Sequence, residues 1–153
     1  MRYQTALRSE AAILAGAAAF LWKMSMTIRI VRLGTDRVKG EGLRIGTVRR
    51  PPRGVPKAEF ASGNWYDVWY PNLAPSAETM ALGQSAESDK DWAAFSKKYR
   101  QEMAQPDAGR SLDLLAALSH TADFSVGCYC ENESRCHRSL LRQLLGDRGA
   151  KIA

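Results

Sequence analysis

The segment Phe124-Ser125-Val126-Gly127-Cys128-Tyr129-Cys130 passes through Glu131-Asn132-Glu133-Ser134-Arg135-Cys136-His137-Arg138 into Ser139 to Leu145. Phe124, Val126, Cys128 and Cys130 alternate with Ser125, Gly127 and Tyr129, which is the period of a strand. Gly127 in its middle predicts close approach of a neighbouring element. From about Ser134 the spacing changes to that of a helix, with Leu140, Leu141, Leu144 and Leu145 on one face and Gly146 as its stop. Strand, short loop and helix in this order form half of a strand–helix–strand unit. Such units build parallel sheets.

Outward from that segment, Thr27 to Leu33 reads as a β-branched strand ending at Gly34, and Leu43 to Val48 as a second. The aromatic run Trp65 to Tyr70 predicts a third strand, closed by Pro71. Pro75-Ser76-Ala77-Glu78 opens a helix. Ser88 to Gln105 is the clearest helix: Trp92, Phe95, Tyr99 and Met103 make an apolar stripe, Ser88 or Asp89 caps it and Pro106 stops it. A further helix spans Ala108 to Ser119, with Leu112, Leu115 and Leu118 inward. The order predicts a single α/β domain, a small and mainly parallel sheet flanked by helices, over residues 26–149, with 150–153 as a tail.

The first 25 residues stand apart. Ala11 to Trp22 is an apolar run of 12 residues, short of the roughly 17–25 that a membrane helix needs. Three readings remain: an upstream extension from a mis-called start before Met24 or Met26, a signal peptide with Arg2 and Arg8 ahead of the run, or an Ala-rich helix. Three cysteines within nine residues make a poor disulfide framework and suit reduced thiols of a cytoplasmic protein.

Charge is uneven. Residues 1–53 hold 11 Lys/Arg and 3 Asp/Glu, and the other 100 hold 11 and 13, within a net +6. This basic protein therefore suits a polyanionic partner, a nucleotide or nucleic acid; no membrane is expected and no protein partner is inferable. Arg49-Arg50-Pro51-Pro52-Arg53-Gly54-Val55-Pro56 is a basic loop on a stiff backbone, suited to clamping phosphate or carboxylate, or else a solvated connector.

The chemistry gathers at Cys128–Arg138. A helix N-terminus offers free N–H groups to an anion. Arg135, His137 and Arg138 add positive charge where the helix dipole opposes it. A tyrosine-phosphatase loop is excluded, because it needs five residues between cysteine and arginine, whereas four separate Cys130 from Arg135 and six separate Cys128 from it. Cys136 beside His137 is a candidate reactive thiol and His137 a candidate acid/base. Cys128, Cys130, Cys136 and His137 form an alternative metal set, with spacings unlike the usual zinc knuckles. The sequence calls for no cofactor, and His120 reads as an exposed turn residue.

Several motifs occur together in order: Pro52-Arg53-Gly54, Leu73-Ala74-Pro75-Ser76-Ala77-Glu78, Phe95…Tyr99-Arg100-Gln101-Glu102, and Cys128…Cys136-His137-Arg138-Ser139-Leu140-Leu141. They resemble the bacterial domain of unknown function 488 family, which includes the YeaO-like proteins, from about Thr27 to Gly146. The resemblance implies a compact α/β domain of the prokaryotic cytoplasm and brings no reaction with it. Its motif positions fall on Arg53, Gly54, Tyr99, Arg100, Cys128, Cys136, His137 and Arg138. Many relatives carry an acidic residue two places after the first motif cysteine; here that place is Cys130, with Glu131 one step later. The expectation is an anion site in which Arg53, Arg100 and Arg138, with Tyr99 and Gly54, converge on His137 and Cys136. A non-enzymatic binding or regulatory module is the alternative, and a small metal-binding protein the next.

Overall fold

The computed structural model describes residues 26–153. The Ala11–Trp22 run and the boundary at residue 25 lie outside the described residues. Four strands, β1 (Ile28–Arg32), β2 (Leu43–Gly46), β3 (Val68–Trp69) and β4 (Phe124–Cys128), form one sheet in the order β1-β4-β2-β3. Every pairing is parallel. Ile28 faces Phe124 on one side of β4 and Leu43 faces it on the other. Central β4 is buried along its whole length, as a parallel strand covered on both faces must be.

Four helices follow: α1 (Ala77–Gln84), α2 (Asp89–Met103), α3 (Pro106–Leu118) and α4 (His137–Asp147). Ser76 caps α1 by accepting from the Thr79 amide, and Ser88 caps α2 in a reciprocal capping box with Asp91. Pro106, which ends α2, also opens α3, because its missing N–H costs nothing in a first helical turn. Phe95, Tyr99 and Met103 of α2, Leu112 and Leu115 of α3, and Leu140, Leu141, Leu144 and Leu145 of α4 close over Ile28, Ile45, Phe124 and Val126 of the sheet. The described residues thus form a single α/β domain. Among the described residues no helix is long and apolar enough to cross a membrane.

The second cluster differs in kind. Leu33, Val48, Tyr66, Cys128 and Cys136 pack with Phe60, Trp65 and Tyr129, so irregular chain rather than helix supplies the cover. This explains why β3 is only two residues long. Trp65 and Tyr66 belong to the covering layer, where Tyr66 lies against Gly46 so closely that a Cβ there would come within 2.4 Å of the ring.

The strands expected over 43–48, 65–70 and 124–130 are shorter, at Leu43–Gly46, Val68–Trp69 and Phe124–Cys128, and the last helix and the tail depart from the periodicity as well. The helix expected from Ser134 begins at His137, after a 3-10 turn at Glu133–Arg135. It runs past Gly146, and Gly149 takes the left-handed conformation beyond its end, with φ 77°. The 150–153 tail joins the sheet: Ile152 bridges Ile28, and the Ile28 amide donates to the Lys151 carbonyl at 2.9 Å.

Candidate functional site

The C-terminal ends of β2 and β4 lie beside the start of α4. The loop between β4 and α4 is built by two caps. Asn132 Oδ1 accepts from the Ser134 amide at 3.0 Å and fixes the 3-10 turn. Cys136 then serves as N-cap of α4, its Sγ accepting from the Arg138 amide at 3.5 Å. A cysteine in that role is unusual, since oxygen side chains are favoured there.

His137, only 5 % exposed, is held from two sides. Its Nε2 lies 2.8 Å from the Thr47 carbonyl, just beyond β2. A carbonyl only accepts, so Nε2 carries a hydrogen, and Nδ1, 3.8 Å from Cys136 Sγ, presents its lone pair when the ring holds one proton. The ring also packs against Tyr99, with centroids 5.6 Å apart. Tyr99 is fully buried, and its hydroxyl donates to the Leu73 carbonyl at 2.8 Å. Burial pushes its phenol well above the ordinary range. Tyr99 thus fixes the imidazole and the Leu73 turn, with its hydroxyl already committed.

The three thiols meet. The sulfurs of Cys128, Cys130 and Cys136 all lie within 4.8 Å of one another, and those of Cys128 and Cys130 are 3.7 Å apart. Cys128 and Cys136 are buried and Cys130 is exposed; all three are free. The cluster shares negative charge unequally. The Cys130 thiol is drawn down by hydrogen bonding from Cys128 and Cys136, aided by the Arg138 guanidinium. The Cys128 thiol is pushed up as the donor to both, and by burial. The Cys136 thiol is lowered, through Cys128 first and then His137.

The cations divide. Arg138 is only 3 % exposed; its Nη2 donates to the Cys130 carbonyl at 2.6 Å, and its buried Nε has no partner. The basic turn adjoins the loop, because Tyr129 donates its hydroxyl to the Arg50 carbonyl at 3.1 Å. Arg53 and Gly54 sit exposed on that turn, Gly54 with φ 72°. Arg100 points elsewhere: it donates to Gln143, two turns along α4, in a groove with Trp92, Ser96 and Leu140. Arg135 pairs with Asp89 at 2.5 Å and lies over the Trp92 ring. The structure therefore brings His137, Arg138 and the cysteines together and sets the Arg53 turn at their margin. It does not bring Arg100 to them.

Sequence reasoning passed over two groups. Thr47, fully buried, carries the carbonyl that fixes His137. Arg44, also fully buried, forms a two-point ion pair with Glu41, Nε to Oε1 at 2.6 Å and Nη2 to Oε2 at 2.9 Å. Ser125 of β4 donates to the same carboxylate at 2.7 Å. The signal was present: an arginine between Leu43 and Ile45 in a strand of a covered sheet requires a buried partner.

A parallel sheet, a buried Cys-His-Arg run at the ends of its strands and a basic turn beside it define a compact strand–helix domain of the type the motifs suggested. The family model described as "DUF488-N3a: Active DUF488-N3 subclade" matches residues 28–149. The chain belongs to that family, within the domain of unknown function 488 group. No curated protein and no solved structure matches it.

Proposed function

We propose that the junction of β4 and α4 binds a small oxyanion, with the phosphate of a nucleotide or nucleic acid as the ligand class that suits its charge. The observation that carries this reading is Arg138: a buried guanidinium with an unpartnered Nε, one residue inside α4. A cation there opposes the helix dipole, and Cys136 already accepts from the Arg138 and Ser139 amides, so the group left wanting a partner is the guanidinium itself. An anion beside it supplies that partner and offsets the charge at the helix start. The nearby carboxylates are engaged elsewhere, Glu133 with Arg142 at 2.8 Å and Glu131 with Arg32 at 3.2 Å. The exposed Arg50 and Arg53 of the adjoining turn supply long-range attraction for a polyanion.

Thermal denaturation with inorganic phosphate, mononucleotides and short oligonucleotides tests the reading. Bound ligand raises Tm as its concentration passes Kd. The expected result is a rise in Tm that Arg138→Gln abolishes. No rise with any of the three ligands overturns it.

A further inference from the structure

We infer that Cys128, Cys130 and Cys136 together form a binding site for one thiophilic metal ion, Zn2+ or Cu+. The three sulfurs come from three different pieces of backbone: the last residue of β4, the exposed loop and the N-cap of α4. Their mutual separations, all within 4.8 Å, bring them to within a small side-chain adjustment of donors around a single ion. With metal–sulfur bonds of about 2.3 Å, tetrahedral or trigonal geometry sets sulfurs roughly 3.8–4.0 Å apart. The Cys128–Cys130 separation of 3.7 Å lies just below that range.

The surroundings fit as well. Two of the sulfurs are buried and the third is exposed, which leaves a path of entry. Arg138 places a cation against the Cys130 carbonyl and its own amide on Cys136 Sγ, so charge and a hydrogen bond both favour thiolates there. His137 lies beside the group without joining it, since its Nδ1 is not within the same mutual distance of all three sulfurs. Three sulfurs without a fourth donor suit three-coordinate Cu+. They equally suit a zinc ion with one position open for water or a ligand oxygen.

The test uses the full chain, reduced and stripped with a chelator, then titrated with Zn2+, Cu+ and, as an optical probe, Co2+. The expected result is saturation at one equivalent, a thiolate-to-cobalt charge-transfer band and protection of Cys130 from alkylation. Comparison of the Zn2+ and Cu+ arms identifies the ion. Cys130→Ser, at an exposed position that leaves the fold intact by circular dichroism, should lose more than about 100-fold in affinity, beyond the cost of removing a group that only supports a ligand. Absence of the band and of saturable binding, or unchanged affinity in Cys130→Ser, overturns the inference. The outcome separates from the oxyanion reading: Cys130→Ser should lose metal and keep phosphate stabilisation, whereas Arg138→Gln should lose the latter and still bind one ion.

Discussion

Nε2 of His137 donates to the Thr47 carbonyl across 2.8 Å, joining the start of α4 to the end of β2. Both residues are buried, so the bond excludes solvent competition. When the ring carries one proton, that proton sits on Nε2, and nitrogen chemical shifts from NMR should report this tautomer; the opposite tautomer would contradict the geometry. His137→Phe leaves the carbonyl unpaired and should cost about 1–3 kcal/mol in urea denaturation.

Every nitrogen of the Arg44 guanidinium donates inside the protein. Beyond Glu41, its Nη1 donates to the carbonyls of Thr35 at 2.8 Å and Asn64 at 2.7 Å. Arg44→Met strands the Glu41 carboxylate and should destabilise the fold by about 3–5 kcal/mol. Replacing both partners, Arg44→Met with Glu41→Leu, should cost less than the single change, because no charge is left alone. Denaturant midpoints of the two variants decide the matter; a double variant weaker than Arg44→Met would refute it.

Acid should loosen the same corner. Burial would raise the Glu41 carboxyl, but Arg44, Ser125 and the Val38 amide outweigh it and hold the group below its ordinary 4.5. Asp67 is lowered from 3.8 first by its paired bonds to Arg37, at 2.8 and 2.9 Å, against burial, and then by the Arg44 amide. A carboxyl lowered on folding binds its proton more readily when unfolded. Its contribution is complete above the unfolded value and is lost as pH falls through the folded one. The contribution of these two carboxylates should therefore be constant above about pH 5 and fall below it. Asp67→Asn should make that fall shallower, as read from Tm against pH; an identical slope would count against this assignment.

Two glycines should respond oppositely to alanine. A Cβ at Gly127 would stand 2.7 Å from the Val31 carbonyl oxygen, a backbone atom that cannot turn aside. Gly127→Ala should cost about 1–3 kcal/mol. Gly109, inside α3, meets nothing nearer than 3.7 Å, so Gly109→Ala should gain up to about 1 kcal/mol from helix propensity. Thermal melts of both compare the two directly.

What could be read in advance was what repeats locally. The stripes of Phe95, Tyr99 and Met103, and of Leu140, Leu141, Leu144 and Leu145, are buried where their periods placed them. Cys128 and Cys130 shared a strand face by alternation, but the arrival of Cys136 depended on a 3-10 turn that carries no period. Arg100 shows the converse. The motif suggested that it reaches His137, but the packing of α2 beside α4 directs it to Gln143. Trp65 and Tyr66 have strand propensity and serve as cover, because the face beyond Gly46 had no helix to close it. Propensity yields there to tertiary need.

The short pairing of Ile152 with Ile28 has a consequence for how the molecule meets others of its kind. β1 is an outer strand, and bare rims of this sort invite foreign strands to add on. Here the amide of Ile28 is spent on Lys151 and its carbonyl accepts from Ala153 at 3.0 Å. The opposite rim is two residues long. The tail occupies the first residue of one margin and the other margin offers a ladder of only two residues, so lateral growth of the sheet is disfavoured at both.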